Sequence, residues 1–190
     1  MKRGHLIVIA GPAAVGKGTV VSRIRELLPN IQLSVSATTR SPRPGELDGE
    51  HYFFVSNEKF DSLVSGNEML EWALVHGLNR YGTPRKPILE ALENGQDIIL
   101  EIDVQGAKQI KTKLPEAILI FLLPPSWDEL VRRLSGRGTE SDAEQARRLA
   151  TAKEEYAARD DFDFQIVNQN VNDAAEAVVN LLSEARNRKA

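Results

Sequence analysis

A five-residue apolar run, Leu6–Ala10, passes straight into Gly11-Pro12-Ala13-Ala14-Val15-Gly16-Lys17-Gly18-Thr19. Helical periodicity then begins at Val20, Val21, Ile24, Leu27 and Leu28. No other segment restricts the fold so tightly. A buried strand, a glycine-rich turn carrying a lysine and a helix opening directly after it are the parts of a phosphate-binding loop. Phosphate brings negative charge that must be met without side chains in the way. Gly11 and Gly16 permit the tight turn, while backbone N–H groups and the helix N-terminus supply donors. Lys17 adds a point charge for the β- and γ-phosphates. The bland alternative, a strand-to-helix turn with no ligand, does not account for the lysine between strand and helix. The hydroxyl arrives one place late, at Thr19 behind Gly18. Three roles therefore stay open for Thr19: a direct Mg²⁺ contact, one through water, or a phosphate contact.

Three more apolar runs, Asp97–Ile102, Ala117–Leu123 and Phe164–Val167, read with the first as strands buried on both faces. Helical spacing recurs at Ala174, Val178, Leu181, Leu182 and Ala185. Two capping boxes mark further helix starts: Ser126 with Glu129, after Pro124-Pro125, and Ser141 with Glu144. Strands alternating with helices imply an α/β fold, a parallel sheet of the P-loop NTPase type with helices on both faces.

A length of 190 residues suits one domain with small insertions, and 42% hydrophobic with 27% charged residues excludes a disordered chain. With 24 basic against 27 acidic side chains, a whole-body nucleic-acid binder or polybasic membrane binder is disfavoured. Lack of cysteine removes disulfides, a thiol nucleophile and a thiolate zinc site, and the scattered His5, His51 and His76 offer no metal spacing. The apolar runs are too short to span a bilayer. Met1 to His5 lead into Leu6–Ala10 without a signal-peptide cleavage pattern. The expected location is the cytoplasm.

From about residue 34 to 87 the rhythm breaks. This stretch is rich in Pro, Gly, Arg and aromatics, with strand-like pieces at His51–Val55 and Leu70–His76. It reads as a small mixed lobe inserted into a core of 1–33 and 88–190, while a Gly-Arg-Gly turn suggests a lid at about 134–150. Arg40 and Arg43, stiffened by Pro42 and Pro44, can form a fork for a phosphate dianion, with tyrosine hydroxyls completing the pocket. Standing alone, the two arginines would read as a solvated loop.

They do not stand alone. In order come Ser36-Ala37-Thr38-Thr39-Arg40-Ser41-Pro42-Arg43-Pro44-Gly45-Glu46, Glu71-Trp72, Tyr81-Gly82-Thr83 and Ile102-Asp103-Val104-Gln105-Gly106. Gly136-Arg137-Gly138-Thr139-Glu140 and Ile166-Val167-Asn168 follow. With these motifs over nearly its whole length, the sequence closely resembles the guanylate kinases, which move the ATP γ-phosphoryl group onto GMP. The resemblance implies ATP with Mg²⁺ on Gly11–Thr19, and Arg40, Arg43, Tyr52 and Tyr81 on the GMP phosphate. Ser36, Glu71, Thr83 and Asp103 would sit at the guanine end. Arg133, Arg137 and Arg148 would act from the lid, joining Lys17 and Arg40 in catalysis. It also implies small-molecule partners only, ATP and GMP, with dGMP as a further acceptor.

Guanine chemistry agrees with that assignment. Its N1–H and N2–H₂ are adjacent donors that one carboxylate can accept together, while O6 needs a donor such as a hydroxyl. The competing expectation for Glu71 is a strand residue facing solvent beside Trp72. For the whole chain, the competitors are an inactive interaction module of the same fold, a P-loop kinase of another phosphorylated acceptor, and a switch GTPase.

Overall fold

The computed structural model describes residues 3–75, 77–135 and 142–188. In chain order the first elements are β1 (Leu6–Ala10), α1 (Lys17–Leu27), β2 (Gln32–Leu33), β3 (Ala37–Thr38) and β4 (Phe53–Phe54). They are followed by α2 (Asn57–Ser65), β5 (Met69–Val75), β6 (Asn79–Pro84), α3 (Arg85–Glu93), β7 (Ile98–Glu101) and α4 (Val104–Lys113). The last are β8 (Ile118–Leu123), α5 (Trp127–Ser135), α6 (Asp142–Ala157), β9 (Phe164–Val167) and α7 (Val171–Arg188).

Five strands form a parallel sheet in the order β2-β7-β1-β8-β9. Alternate side chains of a strand point to opposite faces, and here both faces are covered. Ile7 and Ile9 of β1 join Ile99 and Ile120 under α1 and α7. Leu6, Val8 and Ala10 join Leu100 and Phe121 on the face closed by α3 and α4. Burial on both sides explains the unbroken apolar runs in β1, β7 and β8. The fourth run departs from expectation. β9 is an edge strand in which only Ile166 is buried, because β8 is its sole neighbour and its outer side meets solvent.

A second sheet, β4-β3-β6-β5, takes its strands from between residues 37 and 84. It packs a small core of Ala37, Phe60 and Met69 against α2. Helix α4 joins the two sheets: it leaves β7 of the first and packs along β5 of the second. Gln109 exchanges hydrogen bonds with the Trp72 backbone, and Lys113 donates to the Leu70 carbonyl at 2.6 Å. Ser126 caps α5 through the Glu129 N–H at 3.1 Å, an arrangement whose loss costs about 1 kcal/mol. Ser141, the cap expected for α6, lies outside the described residues. No helix among the described residues is long and apolar enough to cross a membrane.

Candidate active site

The loop after β1 turns on two glycines that tolerate no side chain. At Gly11, φ is 149° and an added Cβ would stand 2.6 Å from the Leu122 carbonyl oxygen. At Gly16, φ is 96° and the Cβ would meet Asn168 Nδ2 at 2.7 Å. Asn168 is buried and donates to the Val15 carbonyl at 2.8 Å, which ties the end of β9 to the loop. Gly16 also opens α1 without a side-chain cap, so the helix presents its first N–H groups as an anion site. Lys17 curls back over the loop, its Nζ 2.6 Å from the Gly11 carbonyl oxygen and 3.3 Å from that of Pro12. Desolvation of the ammonium pulls its pKa below the ordinary lysine value, while Glu155, Glu101 and Asp103 oppose the shift.

Glu155, on α6, was not singled out by any sequence pattern. Its Oε2 accepts from the Ala13 N–H at 3.3 Å, and burial raises its pKa. A lone glutamate on a charge-rich helix carries no signal; only the fold brings it to a loop 142 residues away.

A cavity of about 460 Å³ opens between the loop and the second sheet. Ser36, Arg40, Arg43, Tyr52, Glu71, Tyr81, Asp103 and Lys17 all line it. Arg40 is held on every side. It pairs with both Glu46 carboxylate oxygens at 2.9 Å, donates from Nε to the Tyr81 hydroxyl at 3.1 Å, and lies 5.4 Å from the Tyr52 ring centroid. The Arg40 hydrogen bonds hold the Glu46 carboxyl down to about 2, helped by the Arg43 backbone N–H. Glu46 is therefore ionised at any working pH and fixes the fork. Its place in the Pro-rich turn was legible, but its pairing with Arg40 was not. Arg43 is exposed and accepts no such restraint on its side chain from Glu46, which bonds only its backbone N–H at 2.7 Å.

Glu71 does not face solvent. It is 3% exposed while Trp72 is 38% exposed, so β5 turns the carboxylate inward and the indole outward. Thr83, on the paired strand β6 and fully buried, donates from Oγ1 to Glu71 Oε1 at 2.6 Å. Burial is the largest influence on this carboxyl and pushes its pKa up to about 7. Asp103 caps α4, accepting the Gly106 N–H at 2.7 Å, and still borders the cavity.

Of the expected lid arginines, Arg133 donates from Nε to Glu129 Oε1 at 2.7 Å along α5. Arg148 is half-buried on α6. Arg137 lies outside the described residues. Arg132 is exposed and pairs with Glu129, and Arg147 is exposed. Thr19 is exposed on the first turn of α1.

Among the described residues, no group of three or more His, Cys, Asp or Glu side chains is arranged to hold a metal ion. Hard oxygen donors do stand beside the loop. The Glu101 carboxylate lies 3.6 Å from where a Cβ at position 18 would be, next to Lys17. That donor chemistry fits a Mg²⁺ ion carried mainly by nucleotide phosphates and water.

The family model described as guanylate kinase matches residues 3–185. A guanylate kinase from Leifsonia xyli is 60% identical over 181 residues, covering 95% of this chain and 71% of that protein. One from Nocardia farcinica is 52% identical over 188 residues, covering 98% of this chain and 97% of its own length. Among solved structures, guanylate kinase from Anaplasma phagocytophilum superposes with a TM-score of 0.80 at 34% identity, covering 97% of this chain and 87% of that one.

Proposed function

The chain belongs to the guanylate kinase family, and on that premise we propose how its own residues carry the γ-phosphoryl group of ATP to GMP. It is an ATP:GMP phosphotransferase, a nucleoside monophosphate kinase yielding ADP and GDP. ATP lies on Gly11–Thr19, its phosphates met by loop N–H groups, the α1 N-terminus and Lys17. GMP, or dGMP, lies in the 460 Å³ cavity. Its phosphate is gripped by Arg40, Arg43, Tyr52 and Tyr81. Its N1–H and N2–H₂ are accepted by Glu71, which Thr83 orients, and O6 is met by a hydroxyl such as that of Ser36, with Asp103 closing that end. The observation that carries this reading is the shared cavity. The guanidinium fork and the buried carboxylate open onto one space that Lys17 also borders.

Transfer is direct and in line, without a phosphoenzyme. Charge spreads over the equatorial oxygens of the migrating group, so positioning and fixed cations supply most of the catalysis. Lys17 and Arg40 act from opposite nucleotides, and Arg133, Arg137 and Arg148 arrive from the lid when both are bound. Mg²⁺ carried by ATP would neutralise charge developing on the transferring group, and Glu101 and Thr19 would be the residues to help hold it. Closure over both nucleotides also excludes water and so prevents idle ATP hydrolysis. We place this work in the cytoplasm, where both nucleotides are available.

An acceptor panel tests the reading directly. In a coupled ADP-release assay with Mg²⁺ and ATP, turnover is expected with GMP and dGMP and near background with AMP and UMP. Release of ADP with AMP at a comparable kcat/KM, or none with GMP, overturns it.

A second prediction follows from the raised Glu71 pKa. An ordinary carboxyl near 4.5 is already ionised where this one still holds its proton, so the empty native state binds the extra proton between about pH 4.5 and 7. Stability of the empty protein therefore falls as pH rises through that window. Guanine needs the ionised form, so GMP binding releases a proton there. The second ionisation of the phosphate, near pH 6, is common to GMP and AMP, and the ratio of their affinities cancels it. That ratio is expected to rise roughly tenfold between pH 6 and pH 8 in calorimetric titrations. A flat profile would detach Glu71 from the base.

A further inference from the structure

Outside the acceptor pocket stand buried His5 against Asp97, the apolar hollow beside Phe164 and Leu181, and Glu155 on the phosphate loop. None of these goes as far as a contact at the joint between the sheets. Gly106 lies in the first turn of α4 with a right-handed helical backbone, since its φ is outside the positive range. Nothing in that backbone asks for glycine, and alanine is the better helix former.

Space is what asks for it. A Cβ built on Gly106 would stand 2.4 Å from Glu71 Oε2 and 3.0 Å from Glu71 Cδ, with Ile102 Cδ1 at 3.3 Å. The carboxylate therefore rests directly on the Gly106 backbone. Its other oxygen is fixed by Thr83 at 2.6 Å. Helix and strand cannot slide apart freely, because Gln109 bonds the Trp72 backbone twice and Lys113 bonds the Leu70 carbonyl. A methyl group at 106 would thus press chiefly on the carboxylate, which it approaches far more closely than the tip of Ile102.

We propose that Gly106 is a positioning residue for substrate choice: the missing side chain forms the seat that aims the Glu71 carboxylate at the two guanine donors. Its missing side chain acts through Glu71, while its backbone N–H, which alanine keeps, bonds Asp103 at 2.7 Å. The inference rests on the reading of Glu71 as the guanine-facing acid.

The test compares GMP with IMP, which keeps N1–H and O6 but lacks the 2-amino group, in Gly106→Ala, Glu71→Gln and the double variant. Gly106→Ala is expected to lower the GMP-to-IMP ratio of kcat/KM by roughly tenfold, as expected for one hydrogen bond to a charged group. KM for ATP should hold within about twofold and the thermal midpoint should not fall, since the helix gains a better former. In the Glu71→Gln background the same change should add no further loss, because the charged group that reads the second donor is already gone. An unchanged ratio in Gly106→Ala, or an equal further loss on top of Glu71→Gln, overturns the proposal. If Glu71→Gln alone leaves the ratio unchanged, the reading of the base pocket fails and takes the proposal with it. Should Gly106→Ala lose its thermal transition, Glu71→Asp with Gly106→Ala decides. The shorter acid clears the methyl group, so recovery of fold and ratio supports the seat, and no recovery overturns it.

Discussion

Replacing Lys17 by alanine is expected to lower kcat by about 10²–10³-fold, the loss typical of removing one preorganised electrostatic group from a transition state. The ammonium sits against the Gly11 and Pro12 carbonyls, where desolvation already favours handing it a charged partner. Three carboxylates, Glu155, Glu101 and Asp103, attract it without neutralising it by a direct ion pair among the described contacts. A triphosphate supplies the charge that the site lacks. GMP affinity, read by calorimetric titration of the folded variant, should stay within about twofold, since the acceptor's own cations are Arg40 and Arg43. The titration is discriminating, because Lys17 borders the acceptor cavity too. A parallel loss of GMP affinity would mean that one lysine serves both nucleotides and that the two-site description is wrong.

Replacing Glu71 by glutamine is expected to lower the GMP-to-AMP ratio of kcat/KM by about 10–100-fold, in line with roughly 1–3 kcal/mol for a bidentate base contact. The mechanism is a reversal of polarity at one atom. Glutamine puts an amide N–H₂ where a carboxylate oxygen accepted a hydrogen bond, so it opposes one of the two guanine donors. It can donate instead to N1 of adenine, an acceptor that the native carboxylate rejects. Size is conserved and the Thr83 hydroxyl can still donate to the amide oxygen, so the fold should survive. The variant should also lose the pH dependence of the affinity ratio, since no titratable group remains at the base. A ratio that does not move places the reading of the base elsewhere in the cavity.

Whatever depends on burial or on contiguous residues was plain in the sequence. β1, β7 and β8 are buried on both sides, and that leaves continuous apolar runs; the phosphate loop is contiguous and therefore fully spelled out. β9 misled because four residues, of which three are apolar, look the same at a sheet edge as in its middle. β6 was passed over since Asn79 to Pro84 alternates poorly and carries both Gly82 and Pro84, yet pairing with β5 holds it as a strand. α2, α3 and α4 are short, and each draws its stability from packing that propensity does not report. At the site, Arg40, Glu71 and Thr83 could be named from their motifs. Their partners could not: Glu46 pairs across a turn, Glu155 reaches Ala13 from another helix, and Gly106 matters for atoms it does not have. Contacts between distant segments leave no periodic trace.

The strand that delivers the phosphate loop is made first and partnered late. β1 sits between β7 and β8, so its ladder cannot begin before residue 98 has been synthesised. The loop itself leans on Asn168, which reaches Val15 only after β9 has docked on β8. A ribosome releasing this chain thus exposes the nucleotide-gripping segment well over a hundred residues before its geometry can close. A chain cut before β9 lacks the Asn168 bond that ties the phosphate loop to the end of the sheet.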